Sequence, residues 1–164
     1  MPLTNVTEQD IESVSNQLGR PARDIIAVAA RCVCGNPIVV QTKPRLEDGT
    51  PFPTLYYLTL PAATSAVSTL EANGLMLELQ TKLSLEPELA AAYTVAHEGY
   101  LADRKLLAEV EEIEGISAGG MPNRVKCLHS LVAHSLAKGP GLNPIGDLAL
   151  EACSWSPNRC ACEK

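Results

Sequence analysis

The chain has 164 residues, with 13 Lys and Arg against 19 Asp and Glu, a net charge of −6. That length fits one compact domain able to bury roughly 70% of its unfolded surface, so neither a metal nor a disulfide is needed merely to fold. The acidic balance argues against a general nucleic-acid or anionic-membrane binder, no apolar run approaches the roughly 18 residues of a membrane span, and with aromatics at 4% the core must come from Ala, Leu, Val and Ile.

Met1 to Asp10 has neither a basic cap nor an apolar stretch, so no secretory signal is expected and the cytosol is the expected compartment. Residues 1–6 read as a flexible lead-in. Thr7 can cap a helix over Glu8 to Leu18, whose Ile11, Val14 and Leu18 form one apolar stripe, ended by Gly19 and Pro21. Asp24 to Cys32 reads as a buried strand. A Gly35-Asn36-Pro37 turn leads to a second strand, Ile38 to Thr42, and Thr54 to Leu60 reads as a third. Helical patterns follow. They cover 62–72, stopped by Asn73-Gly74, then 75–83, then one long helix over 88–113 with Pro87 at its first turn. Gly115 to Met121 is a Gly-rich loop. Pro122 is expected to open a helix running to Lys138, and Asn143 to cap a last one over 144–152. The expected fold is α+β: a small antiparallel sheet of about three strands within 24–60, packed against four to five helices. It forms a single domain over 1–164, with a Cys-containing tail at 153–164.

Six cysteines stand out, and four of them form C-x-C pairs: Cys32 with Cys34, and Cys160 with Cys162. In a reducing compartment a disulfide framework is disfavoured, so clustered thiols suggest metal binding or redox chemistry. Residues two apart on a strand share a face but lie about 6.6 Å apart. Each pair can converge on one ion only if a turn intervenes, and Gly35-Asn36-Pro37 and Ser156-Pro157-Asn158 both signal turns. The two distant pairs could then close a four-thiolate site for zinc or an iron–sulfur cluster and tie the tail to the first strand.

The segment from Gly119 to His134 carries the remaining chemistry. A loop with Gly119 and Gly120 running into a helix start, with Arg124 and Lys126 beside it and Arg31 elsewhere, could hold an anion. An ordinary helix start with solvated cations explains the same residues. Cys127, read as about a turn and a half inside that helix, becomes a candidate nucleophile or metal ligand. His129 would lie roughly 200° around the axis and point away from it. His134 returns to the same face about 10.5 Å further along. Cys127 with His134 or His129 as base would make an enzyme acting on a small anionic or phosphorylated substrate. His134 is also an alternative metal ligand, and His97 reads as surface.

Together, Arg31-Cys32 through Cys34-Gly35-Asn36-Pro37, then Phe52-Pro53-Thr54-Leu55-Tyr56, Lys126-Cys127-Leu128-His129, Ala133-His134 and Asn143-Pro144-Ile145-Gly146 resemble the bacterial domain-of-unknown-function family numbered 501. The resemblance implies a small cytosolic bacterial protein and brings no activity, substrate or cofactor. It picks out Cys32, Cys127, His129 and His134 as motif positions, with Cys34 and the Cys160 pair less general. It also implies a genomic neighbourhood of enolase, a septum-formation protein and an exopolyphosphatase. A third expectation is a non-catalytic interaction module with an unidentified protein partner, met by the long acidic helix with its Glu109 to Glu114 face and by the Tyr56-Tyr57 region; the neighbourhood links it to cell division or polyphosphate metabolism. The leading expectation is a metal-binding protein whose ligands come from Cys32, Cys34, Cys127, His134, Cys160 and Cys162.

Overall fold

The computed structural model describes residues 3–162. Four strands, β1 (Thr4–Asn5), β2 (Ile25–Arg31), β3 (Pro37–Thr42) and β4 (Tyr56–Leu58), form one antiparallel sheet in that order. Six helices accompany it: α1 (Glu8–Leu18), α2 (Pro61–Ala72), α3 (Leu75–Leu85), α4 (Pro87–Leu107), α5 (Leu128–Lys138) and α6 (Pro144–Ala152). The α+β class is as expected. The additional strand is β1, two residues that pair with Val28 and Ala27 inside the segment expected to be a loose lead-in.

All six residues of β3 are buried, so both faces of the sheet are covered. Ala30, Val39 and Leu58 stand abreast in the register and join the main core with α5. Val28 and Val40 pair across the other face, where Val14 of α1 is also buried. Helix α5 lies at the centre: Leu128 and every residue from Leu131 to Ala137 are buried. It meets the sheet on one side and α2 and α6 on others.

Helix α1 begins with a reciprocal cap. Thr7 accepts the Asp10 amide, and the Asp10 carboxylate accepts the Thr7 amide. The same carboxylate takes two hydrogen bonds of 2.8 Å from the Arg31 guanidinium. This fork, on a carboxylate only 5% exposed, holds its pKa down to about 2. A depressed carboxylate stabilises the fold above its unfolded pKa and loses that contribution as pH falls through the folded value. We therefore expect roughly 2 kcal/mol of stability to disappear between about pH 4 and pH 2 in acid unfolding monitored by circular dichroism. Asp10→Asn should flatten that part of the profile; an unchanged acid limb would contradict the pairing.

Two helix boundaries differ from the sequence reading by more than two residues. Helix α4 ends at Leu107 rather than running to Ile113, and Ala108 is extended. Continuing it would place Glu109, Glu111, Glu112 and Glu114 against the negative end of the helix dipole and against one another. The chain instead folds back into a 3₁₀ turn at Glu111–Ile113. Buried Arg104 secures that turn by donating to the carbonyls of Ile113 at 2.8 Å and Pro53 at 2.9 Å. Helix α5 starts at Leu128, not Pro122. Upstream, the Gly119 carbonyl accepts the amides of Lys126 and Cys127, and the Gly120 carbonyl accepts that of Arg124. Closing this loop needs the left-handed backbone of Gly119 and Gly120, where a β-carbon would meet the Leu131 side chain and the Arg124 carbonyl respectively.

Candidate metal centre and a second polar cluster

The end of β2 and the C-terminal tail bring four sulfurs together. Cys32 follows Arg31 directly, and the chain turns at once: the Gly35 amide donates to the Cys32 carbonyl and the Cys32 amide to the Asn36 carbonyl, both at 2.8 Å. That turn, with Gly35 at φ +97°, brings Cys34 back toward Cys32. Arg31 buttresses it, donating from Nη1 to the Gly35 carbonyl at 3.0 Å while its fork grips Asp10. The tail is anchored by Trp155, which is buried in the core. Beyond it, a turn at Ser156 to Arg159 delivers Cys160 and Cys162 to the same place. The four Sγ atoms of Cys32, Cys34, Cys160 and Cys162 all lie within 4.8 Å of one another. Cys34 and Cys162 are 3.7 Å apart, Cys162 and Cys32 3.8 Å. These are contact distances between unbonded sulfurs, and all four thiols are free.

The electrostatics of the cluster are uneven. The Asn36 amide, aimed at Cys34, pulls that thiol down to about 7. Burial pushes Cys162 up to about 12 and Cys32 up as well. Without a cation, one thiolate therefore suppresses ionisation of its neighbours. A divalent ion would reverse this and displace the remaining protons.

A second cluster surrounds Cys127. This residue does not lie inside α5 but precedes it, with extended backbone at φ −149°, ψ 107°. The helical rotation that would carry His129 away from it therefore does not apply. Cys127 Sγ, one ring nitrogen of His129 and one carboxylate oxygen of Glu71 lie within 4.8 Å of one another. His129 Nδ1 is 3.3 Å from Glu71 Oε1. Its Nε2 lies 3.2 Å from the Thr64 carbonyl and 3.1 Å from Ser68 Oγ. The other Glu71 oxygen accepts the Leu128 amide at 2.9 Å, so this carboxylate already occupies the start of α5. Burial pushes the Cys127 thiol up, but hydrogen bonds from His129 and from the Ser130 hydroxyl and amide outweigh it and leave it lowered. The bond to Cys127 raises His129 in turn.

Other residues nominated from sequence lie elsewhere. His134, expected to share a cavity with Cys127, is fully buried and stacked on Tyr56, with ring centroids 5.8 Å apart, and edge-on to Tyr100 at 4.9 Å. Asn143 accepts the Gly146 amide through Oδ1, which turns its Nδ2 toward His134 Nδ1 at 3.1 Å. The ring proton is thus on Nε2, which has no partner among the described residues. Burial lowers this imidazole to about 4, so it is neutral. His134 belongs to neither thiol cluster. Arg31 is committed to Asp10 and the 31–35 turn, and Arg124 and Lys126 are exposed. Gly119 and Gly120 close their loop internally. His97, read as surface, places Nδ1 2.7 Å from Ser117 Oγ. Glu71 carries no local sequence signal; its role depends on α2 lying beside the start of α5.

An α+β fold whose C-terminal tail brings two thiols up to two others at the end of β2 is the class of protein these features define. The chain belongs to the family of proteins of unknown function DUF501, whose model matches residues 28–151. The chain matches no curated protein and no solved structure. The matched stretch contains Cys32, Cys34, Glu71, Cys127 and His129, whereas Cys160 and Cys162 lie beyond it. Among the described residues, no helix is long and apolar enough to cross a membrane.

Proposed function

We propose that the chain is a metal-binding protein of a reducing compartment such as the bacterial cytosol. Its ion is a single zinc held by Cys32, Cys34, Cys160 and Cys162. One observation carries this reading: four sulfurs from two distant stretches meet within 4.8 Å. The spacing also favours one ion over a cluster. Zinc–sulfur bonds of about 2.3 Å in a tetrahedron set neighbouring sulfurs about 3.8 Å apart. The two separations of 3.7 and 3.8 Å match that edge. An iron–sulfur cluster distributes its thiolates over separate irons and so spreads them wider. Four protein ligands leave no open position, so the ion's work here is to clasp residues 156–162 to the end of β2 rather than to activate a substrate.

Protein purified anaerobically is expected to be colourless and to retain one zinc per chain through dialysis against a mild chelator. A brown protein containing iron and acid-labile sulfide, or a metal-free protein with six titratable thiols and unchanged stability, would overturn the reading.

A further inference from the structure

The cluster at Glu71, Cys127 and His129 is independent of the four-sulfur site, and three features of its construction bear on what it can hold. A soft thiol, an imidazole nitrogen and a carboxylate oxygen converge within 4.8 Å, a donor set suited to a borderline divalent ion. Their outer supports are already in place. The far nitrogen of His129 faces the Thr64 carbonyl and Ser68 hydroxyl, which leaves Nδ1 to face inward. The outer oxygen of Glu71 is pinned by the Leu128 amide. Bracing of this kind orients metal-ligating histidines and carboxylates. Thr64, Ser68 and Glu71 recur at helical spacing, so one stripe of α2 supplies a ligand and both supports for the ring. Finally, all three ligand residues are only partly buried, with 28% of the His129 side chain and 23% of the Glu71 side chain exposed.

The alternative use of such a trio is a cysteine nucleophile activated by histidine. Glu71 argues against it. Its Oε1 lies 3.3 Å from His129 Nδ1, the nitrogen that a base acting on Cys127 would have to present to the thiol. A cation resolves the conflict. One thiolate, one carboxylate and one neutral imidazole around a divalent ion sum to zero charge.

We infer that Glu71 Oε1, Cys127 Sγ and His129 Nδ1 form a second site, which binds a divalent transition ion with three protein ligands and leaves its fourth position to water. Binding releases the one proton shared by Cys127 and the inward nitrogen of His129, and the Nε2 proton stays on the Thr64 side. Three ligands and an open position are the arrangement in which zinc makes bound water a nucleophile near neutral pH. Unlike the four-sulfur site, this one exchanges its ion readily and is suited to hydrolytic chemistry.

The test is an anaerobic cobalt(II) titration of the full chain, followed by its thiolate-to-metal charge-transfer band and repeated in variants. Wild-type protein is expected to take two equivalents, the second adding the weaker band of a single thiolate. Cys160→Ser/Cys162→Ser should lose the strong band and keep the weak one. Glu71→Gln, whose amide oxygen can still accept the Leu128 amide, should keep the strong band and weaken the second equivalent at least about tenfold. His129→Asn should do the same, and circular dichroism checks that both variants are folded. If only the four-sulfur site fails, a single equivalent remains that depends on Glu71 and His129. Cobalt binding that neither Glu71→Gln nor His129→Asn weakens, in either background, overturns the inference.

Discussion

Replacing Cys160 and Cys162 together by serine is expected to abolish the tightly held zinc while leaving the domain folded. The main core is built from β2–β4 and the helices, and Cys32 is the one cysteine of the cluster buried in it. The tail beyond Trp155 is mostly exposed and has little other than the cluster to hold it. The variant should therefore show rapid amide exchange and new proteolytic cleavage within residues 156–162, with native exchange in α5. Its stability should fall by what the ion contributed to the folded state, about 4 kcal/mol when free zinc stands at about 1,000 times its Kd. Global unfolding of the variant would mean that the tail does more than the structure assigns it. Unchanged zinc content would mean that the tail cysteines are not ligands.

Gly146→Ala is expected to destabilise the protein by about 2–3 kcal/mol, against the usual sign for such a change. Within a helix, alanine is ordinarily better than glycine by about 1 kcal/mol. Gly146 lies in the first turn of α6, with its amide capped by Asn143. A β-carbon there would run into the Leu131 carbonyl and the Ser135 hydroxyl of α5. The carbonyl is backbone at a buried position of α5, so the two helices must move apart. Any such movement also disturbs Asn143, and with it the bond that fixes the His134 ring. Urea unfolding measures the loss, and an equal or greater midpoint in the alanine variant would contradict the close approach of α5 and α6.

Much of the fold was legible because local signals and packing agree. Thr7 and Gly19 bound α1, β-branched residues mark β3, and Asn143 caps α6. Where the reading failed, a long-range partner decided the outcome. The two residues of β1 are too few to carry a period, and they are strand only because β2 offers an edge. The end of α4 is set by clustered glutamates and by Arg104 reaching across to two carbonyls.

The C-x-C spacing nominated the four-sulfur cluster, since a turn at Gly35 was the condition for convergence and the turn exists. The second cluster was illegible for a definite reason. Separating Cys127 from His129 by 200° assumes that both are helical, and the closed loop at Gly119 and Gly120 keeps Cys127 outside α5. Glu71 could not be nominated at all, because its contribution comes from another helix 57 residues away from Leu128.

The most direct measurement is X-ray absorption at the zinc edge on protein loaded with a single equivalent of metal. Four sulfurs at about 2.3 Å, with no metal–metal scattering, are expected from the thiolates of Cys32, Cys34, Cys160 and Cys162. A first shell dominated by nitrogen and oxygen would contradict the central claim.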